Sequence, residues 1–189
     1  MMDREELRSR LVKKLSSESL KHSERTAETA AWLAKAHDAN IEKAELAGLA
    51  HDVARDLTGE ELLRQAERYG LGIGAIELAR PCLLHAAVGA IILGQDYGIQ
   101  DQEILEAVRN HTFGRTKMNK LDKIVYLADV VEPRRDYAGI DELRKLAKTD
   151  LNKAFAKAYQ LQILRTIKGR RMIHPDSFDV WNSVVKEVE

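Results

Sequence analysis

His51 and Asp52 form an adjacent imidazole–carboxylate pair at the end of the apolar run 47–50. A core would not select this pair for packing, because a buried charge is costly unless a partner or a metal compensates it. His22 lies upstream, and Asp129 lies downstream in another apolar run. Two imidazoles and two carboxylates make a mixed N/O ligand set for a borderline divalent ion such as Fe, Mn, Co or Zn. The four residues therefore predict a metal site.

A divalent ion at such a site suits the hydrolysis of a phosphoanhydride. The ion would lower the pKa of bound water and polarise a phosphoryl oxygen, and the reaction needs both effects. Four protein ligands on a six-coordinate ion leave positions for water and phosphate, so iron or manganese is favoured over a structural zinc. A purely structural helical scaffold is the competing hypothesis, and it predicts that His22, His51 or Asp129 can become Ala without loss of bound metal.

Two further histidines and one aspartate are candidates for the same site. His85 and His111 fall near the ends of predicted helices, where side chains can converge at one mouth of a bundle. They would either bind phosphate as cations or, when neutral, hold a second metal bridged by Asp52. Asp56 comes one helical turn after Asp52, so it is a candidate for orienting a ligand or the attacking water.

Arg134 and Arg135 are candidates for binding phosphate. They follow Asp129 closely in the sequence, and a guanidinium group can bind two phosphate oxygens with its planar fork. A plain surface charge cluster is the alternative interpretation.

The elements that must position these residues are predicted to be helices. Aromatic residues make up only 5% of the chain and prolines number three, a composition that favours helices over sheets. The stretch 70–81 is expected to be a glycine-rich connection around a short apolar piece. Periodicity and capping signals predict helices at 1–15, 20–37 capped by Ser19, 41–52 capped by Asn40, 58–69, 83–97, 101–108, 119–129, a short one from 141, 150–167, and one from 178.

Length, charge and cysteine content limit the classes of function. A chain of 189 residues is expected to form one domain. Lys+Arg and Asp+Glu both total 30, so the protein as a whole does not attract a nucleic acid polymer. Cys82 is the single cysteine, and no segment has the apolar length of a membrane span or a signal peptide. We therefore expect a cytoplasmic protein that does not bind a membrane.

The order His22, His51-Asp52, Asp129 resembles the H…HD…D signature of HD-domain phosphohydrolases. Within that superfamily the chain resembles the YqeK family over nearly its whole length. The motifs that carry this resemblance are Lys21-His22-Ser23, Ala50-His51-Asp52-Val53-Ala54-Arg55-Asp56, Leu84-His85-Ala86, Arg109-Asn110-His111-Thr112, Leu127-Ala128-Asp129 and Glu132-Pro133-Arg134-Arg135.

The resemblance implies an all-α, single-domain HD-domain helical bundle over residues 1–189. The metal-site core would lie at about 18–135 and the C-terminal helices at 140–189 would complete the pocket. The implied activity is that of a bacterial dinucleoside tetraphosphatase that binds iron and splits diadenosine tetraphosphate symmetrically into two ADP.

Site residues follow from the resemblance and the side-chain chemistry together. The resemblance implies that the loop 170–176 lies against the bound nucleotide. The alternative interpretation of this loop is a solvated turn. The expected metal ligands are His22, His51, Asp52 and Asp129. The expected catalytic residues are Asp52, Asp56, His85 and His111. The expected substrate contacts are His22, Asp56, His85, His111, Thr112, Asp129, Arg134, Arg135, Arg170, Arg171, Met172, Ile173, His174, Pro175 and Asp176.

Other functions remain open from the sequence. One is an HD phosphohydrolase that acts on nucleoside monophosphates, deoxynucleoside triphosphates or guanosine alarmones. Another is a catalytically weak sensor that binds nucleotides. The expected partner is a small nucleotide, and a homodimer is a further hypothesis.

Overall fold

The chain folds into a bundle of helices. The structure, a computed structural model, describes residues 2–188, and this range contains no β-strand. The expectation of an all-α fold is therefore confirmed. The described helices are α1 (Arg4–Leu11), α2 (Ser17–Ala36), α3 (Ile41–Ala50), α4 (Gly59–Arg68), α5 (Ala75–Ala79), a 3₁₀ helix (Pro81–Leu84), α6 (His85–Gln95), α7 (Gln102–Asn110), α8 (Lys120–Val131), α9 (Ile140–Thr149), α10 (Leu151–Lys168) and α11 (Asp176–Lys186).

Helix α8 lies inside the bundle. Every residue from Leu121 to Ala128 is buried, as expected for a helix that is apolar around most of its circumference. It packs against α2, α7 and α10. Asp129 follows this buried segment on the same helix, so its carboxylate lies at the edge of the core.

Helices α2 and α3 approach each other closely at Gly48. A Cβ atom at this position would lie 3.0 Å from the Cα of Ala27 and 3.1 Å from the Cβ of Ala30. Small residues allow this approach, because there is no side chain to hold the backbones apart. The contact holds α3, and with it His51, against the helix that carries His22.

Most predicted helix starts are confirmed because capping is a local interaction. The Asn40 side chain accepts a hydrogen bond from the Lys43 amide at the start of α3. Thr58 and Glu61 form the capping box predicted for α4. Asp101 and Asp150 likewise cap α7 and α10.

The predicted cap of α2 is wrong. Ser16 is the cap, and its hydroxyl oxygen accepts a hydrogen bond from the Ser19 amide at 3.2 Å. The Ser19 hydroxyl instead donates to Asp56 at 2.6 Å. Both serines are suitable caps by type, and Asp56, which is distant in sequence, accepts from the Ser16 amide with one oxygen and from the Ser19 hydroxyl with the other.

Several predicted helix limits also differ from the structure. Helix α1 ends at Leu11, and the chain turns before Leu15. The stretch 70–81 is more helical than expected, because it contains α5 and the first residue of the 3₁₀ helix. Helix α6 begins at His85 and α11 at Asp176. In the described part of the chain, none of the helices combines the length and the apolarity needed to cross a bilayer.

Candidate active site

Four predicted metal ligands meet where α2, α3 and α8 come together. His22 is on α2, Asp129 is on α8, and His51 and Asp52 lie in the turn directly after α3. The Nε2 atom of His22 lies 3.0 Å from Asp129 Oδ1 and 3.9 Å from Asp52 Oδ2. The Nε2 atom of His51 lies 3.5 Å from Asp52 Oδ2 and 3.9 Å from Asp129 Oδ1. Because α3 ends at Ala50, the adjacent His51 and Asp52 side chains can converge on one point.

The orientation of three histidine rings is fixed by the backbone. His51, His85 and His111 each hydrogen-bond through Nδ1 to the carbonyl three residues earlier, at 2.7, 2.6 and 2.7 Å. A carbonyl only accepts, so each Nδ1 carries a proton, and the Nε2 atom presents a lone pair whenever the ring is neutral. The accepting carbonyls belong to Gly48, Cys82 and Val108.

His22 is oriented by a carboxylate. Its Nδ1 atom lies 3.3 Å from Oε1 of Glu132, a residue that is only 2% exposed. The other carboxylate oxygen of Glu132 accepts a hydrogen bond from Arg25 Nε at 2.8 Å. Such a carboxylate–histidine pair fixes the tautomer of a metal ligand and raises its basicity.

Asp52 faces a second group of side chains with its other oxygen. Its Oδ1 atom lies 3.1 Å from His85 Nε2 and 3.6 Å from His111 Nε2. These two Nε2 atoms are themselves 3.0 Å apart. The Thr112 hydroxyl lies 3.4 Å from the first and 3.3 Å from the second. The carboxylate of Asp52 therefore stands between two groups of imidazoles.

Burial and charge together determine the protonation of the site. Burial lowers the pKa of His51 to about 4, so its ring is neutral. Burial opposes the charge on Asp129, but the hydrogen bond from His22 and the positive charge of Arg135 outweigh it and hold the Asp129 pKa low. The Asp52 pKa is likewise held well below its usual range, because the hydrogen bonds from His111 and His85 outweigh the effect of burial. Both carboxylates are therefore anionic.

The protonation of His111 differs from that of His51. Burial disfavours the charged form of His111, but the hydrogen bond and the negative charge of Asp52 outweigh it and raise the His111 pKa. His111 is therefore more easily protonated than His51.

The residues present fit a divalent metal. His51 Nε2 is buried and has no hydrogen-bond partner among the described residues, as expected for a lone pair reserved for an ion. Ligand atoms of His22, His51 and Asp129 lie within 4.8 Å of one another, and so do those of His51, Asp52 and His111. Neutral imidazole and carboxylate are ligands suited to Fe, Mn, Co or Zn.

The cluster of histidine and aspartate side chains lies in a cavity beside a larger groove. A cavity of about 370 Å³ surrounds the cluster, and a larger groove of about 900 Å³ lies beside it. Both are lined by Arg55, Thr112, Asp129, Arg135 and Gln162, so the two spaces adjoin each other. A ligand with one end at the metal ligands can therefore extend along the groove.

The groove is basic although the whole chain carries no net charge. Asp129 and Asp136 are its only acidic lining residues among those described. Opposing them are Arg55, Arg80, Arg134, Arg135, Arg165, Lys168 and Arg171. Apolar and aromatic side chains alternate with these cations, among them Leu83, Phe113, Tyr137, Leu161, Leu164, Met172 and Ile173.

Most predicted site residues lie in these two spaces. His22, Asp52, His85, His111, Thr112, Asp129 and Arg135 line the inner cavity. Arg134, Arg171, Met172, Ile173 and His174 line the outer groove together with Asp129 and Arg135. The side chain of Arg135 forms an ion pair with Asp129 Oδ1, whereas Arg134 is exposed and forms no ion pair with the described residues.

The structure does not bring Asp56 to the cluster. Its carboxylate accepts hydrogen bonds from the Ser16 amide at 2.5 Å and from the Ser19 hydroxyl at 2.6 Å, at the start of α2. Helix α3 ends at Ala50 and residues 51–56 form turns, so the α-helical spacing expected between Asp52 and Asp56 does not apply. Arg170, Pro175 and Asp176 are exposed and lie outside the lining of both spaces.

His174 makes specific contacts in the predicted binding loop. Its Nε2 atom lies 3.2 Å from Glu77 Oε1, and its Nδ1 accepts from the Asp176 amide at 3.3 Å. Its ring packs against Phe113 at a centroid distance of 4.8 Å. The ring therefore joins α5 and the loop before α11 to the segment that follows His111.

Sequence reasoning missed several residues of the site. Glu132 was named only within the motif Glu132-Pro133-Arg134-Arg135, and no role was predicted for it, although it follows Asp129 by only three residues. Arg55, Arg80, Arg165 and Lys168 gave no signal beyond their charge, because the groove that collects them forms only on folding. Gln162 was not noted, since an isolated polar residue on an amphipathic helix usually faces solvent.

Comparison with known proteins agrees with this geometry. The HD domain matches residues 19–134. A symmetrical bis(5'-nucleosyl)-tetraphosphatase of Bacillus subtilis (strain 168) is 36% identical over 184 residues, which covers 97% of this chain and 98% of the relative. The protein of the same name from Halalkalibacterium halodurans is 37% identical over 173 residues, 92% of each chain.

A solved structure has the same fold. It is a crystal structure of a predicted HD superfamily hydrolase involved in NAD metabolism from Clostridium acetobutylicum, and it is 34% identical to this chain. The TM-score is 0.93, with 99% of both chains covered. From the domain match and these full-length similarities, the chain belongs to the HD-domain family and, within it, to the YqeK-like group of symmetrical tetraphosphatases.

Proposed function

We propose that this protein is a metal-dependent hydrolase that cleaves dinucleoside tetraphosphates symmetrically, converting diadenosine tetraphosphate into two ADP. The observation that carries the proposal is the His/Asp cluster at the inner end of a basic groove. The relatives from Bacillus subtilis and Halalkalibacterium halodurans carry the name of this activity.

The groove suits a long, highly charged nucleotide. Its volume of about 900 Å³ lies near the upper end of the range for small-molecule sites, about 300 to 1,000 Å³. Arg80, Arg165, Lys168 and Arg171 form no ion pair with the described residues, so they are available to phosphate. Apolar side chains such as Leu83 and Met172 offer surface for a nucleoside. The alternation of cationic and apolar lining therefore matches a substrate with two nucleosides and four phosphates.

His22, His51, Asp52 and Asp129 would hold the ion. A bound divalent ion supplies acidified water and a polarised phosphoryl oxygen. The protein holds the His51 ring neutral and the two carboxylates charged, which are the protonation states that metal binding requires. Glu132 holds the His22 ring with its Nε2 toward Asp129.

The remaining inner side chains would bind and orient phosphate. Arg135 can present its guanidinium to a phosphate oxygen beside Asp129, and Arg134 lies free at the rim. His111, with its raised pKa, is suited to donate a hydrogen bond to phosphate. In the alternative, a second ion would be held by the Asp52 carboxylate together with His85 and His111 in their neutral form.

The phosphate register would determine the products. Attack requires the reacting phosphorus to lie in line with the nucleophile, so the groove residues select the bond that breaks. A nucleoside held near the loop 171–174 would place the second phosphorus from it at the cluster. Cleavage there leaves a diphosphate on each nucleoside.

Iron is the ion that we propose, with manganese, cobalt or zinc as alternatives of the same ligand preference. We further propose a cytoplasmic location, since the single cysteine, Cys82, suits a reducing compartment. A homodimer stays a prediction.

A nucleotide panel tests the proposed substrate. Protein loaded with iron or manganese should be given diadenosine tetraphosphate, AMP, dATP and a guanosine tetraphosphate alarmone at equal concentration. We expect the highest kcat/KM for diadenosine tetraphosphate. Faster hydrolysis of any of the other three would overturn the proposed substrate, and tight binding of all four without turnover would identify a sensor.

A further inference from the structure

Gln162 on α10 reaches into the site with both ends of its amide engaged. It lines the inner cavity as well as the groove. Its Nε2 donates to the Thr112 carbonyl at 2.9 Å, and its Oε1 accepts from the Tyr126 hydroxyl at 3.0 Å. These contacts link residues that are 50 and 36 positions apart in the sequence.

The direction of this hydrogen-bond chain is fixed. The Thr112 carbonyl can only accept, so the NH₂ end of the Gln162 amide must face it. The amide oxygen then faces Tyr126, whose hydroxyl must donate. Tyr126 is fully buried, and burial raises its pKa well above the usual range, so the hydroxyl keeps its proton.

The carbonyl held by Gln162 belongs to the residue directly after His111. Helix α7 ends at Asn110, and the carbonyl groups beyond a helix end need partners from elsewhere. Gln162 supplies one partner, and Tyr159, also on α10, donates to the next carbonyl, that of Phe113, at 3.0 Å. Side chains of α10 thus hold the turn that presents His111 and Thr112.

We propose that Gln162 is a positioning residue, and that Tyr126 acts through it. By holding the Thr112 carbonyl, the amide keeps the Thr112 hydroxyl and the His111 ring directed at the reacting phosphate. This inference rests on the proposed function, and it adds a residue of the C-terminal helices to the catalytic apparatus. In the described part of the chain, the hydrogen bonds of Gln162 go to Thr112 and Tyr126 and not to the four expected metal ligands, so we expect it to act on turnover rather than on metal binding.

Gln162→Met tests the proposal, because it keeps the length of the side chain and removes both hydrogen bonds. We expect kcat for diadenosine tetraphosphate to fall about 10-fold or more, the size found for residues that orient site groups. KM should change less than threefold and the metal content should be unchanged. Gln160→Met is the matched control, since Gln160 lies exposed on the same helix and outside both cavities.

Tyr126→Phe provides an independent variant that removes a single hydroxyl. We expect a smaller, severalfold loss of kcat. The double variant Tyr126→Phe/Gln162→Met should be no slower than Gln162→Met alone, because Tyr126 acts only through the amide. Losses of kcat that add up in the double variant would refute the proposal that Tyr126 acts through Gln162.

A spectroscopic readout separates this inference from the proposed substrate. In histidine-labelled, metal-free protein, Gln162→Met should shift the side-chain ¹H–¹⁵N signals of His85 and His111 and leave those of His37 unchanged. His37 is a suitable reference because it contacts Ala147 at the other end of α2.

The outcomes are distinguishable. A wild-type protein that does not split diadenosine tetraphosphate refutes the proposed function, while shifted His85 and His111 signals would still support the positioning role. Unchanged signals, or a Gln162→Met enzyme with normal kcat, refute the positioning role alone. A change confined to KM would make Gln162 a substrate contact, which also overturns the inference.

Discussion

Glu132→Gln is the substitution with the clearest expected effect on the metal site. Both oxygens of Glu132 accept hydrogen bonds: Oε1 faces His22 Nδ1 at 3.3 Å, and Oε2 faces Arg25 Nε at 2.8 Å. Oε2 also accepts from the Arg134 amide at 2.8 Å. All of these partners are donors, so an amide in either orientation would place its NH₂ group against a donor.

The size of the effect follows from two separate losses. Loss of a carboxylate that orients a metal-binding histidine typically costs about 10- to 100-fold in metal affinity, or about 1.4 to 2.7 kcal/mol. Leaving a buried donor without an acceptor costs about 1 to 3 kcal/mol of folding free energy. We therefore expect weaker metal binding together with a lower free energy of unfolding of the metal-free protein.

Calorimetric titration of the metal-free variant with manganese measures the first loss, and urea unfolding measures the second. Glu24→Gln is the matched control. Like Glu132, Glu24 pairs with an arginine, Arg8 Nε at 2.6 Å, but neither Glu24 nor Arg8 lines the inner cavity or the groove. Its metal affinity should equal that of the wild type. An unchanged manganese dissociation constant for Glu132→Gln would refute the view that Glu132 orients His22.

Three further predictions concern packing, pH and substrate binding. Gly48→Ala should lower the free energy of unfolding by about 1 to 3 kcal/mol through overpacking, whereas Gly72→Ala, with no atom within 4 Å of the new Cβ, should be close to neutral in urea unfolding. Because burial lowers the His51 pKa from 6.5 to about 4, the unfolded state takes up a proton between these values that the folded metal-free state does not. His51 should therefore lower the free energy of unfolding of the metal-free protein by about 3 kcal/mol as the pH falls from 7 to 4. His51→Gln removes this contribution, so an equally large loss between pH 7 and 4 in urea unfolding of the variant would contradict the prediction. Arg135→Ala should raise KM about 10-fold, the value of a charge-assisted hydrogen bond, and Arg134→Ala should raise it less, with metal content kept in both; unchanged steady-state kinetics would place both arginines outside substrate binding.

Helix positions could be predicted where their signals are local. The capping box of Thr58 and Glu61 is complete within four residues, and the sequence alone sufficed to place α4. Ser16 and Ser19 could not be separated this way, because Asp56 approaches from a distant turn and engages the Ser19 hydroxyl. Helix limits therefore depend on tertiary contacts wherever two residues are equally suited to the cap.

The convergence of the histidine and aspartate side chains could be predicted because these residues conflict with their surroundings in the sequence. His51 and Asp129 are polar residues in apolar runs, and such a conflict is visible in the sequence. Asp56 shows the limit of this reasoning, since its assignment assumed that helical spacing continues past Asp52 although α3 ends at Ala50. Glu132 and Gln162 act across 110 and 50 positions of sequence, and only folding brings such partners together.

The most direct test of the central claim is a product analysis with controlled metal. Metal-free protein should be titrated with iron(II) or manganese(II), supplied with diadenosine tetraphosphate, and its products separated by anion-exchange chromatography. We predict that ADP is the only initial product, that its rate rises with bound metal, and that Asp52→Asn abolishes it, because both oxygens of Asp52 face the histidine cluster. Equal amounts of ATP and AMP, or ADP formation that persists without metal, would contradict the account.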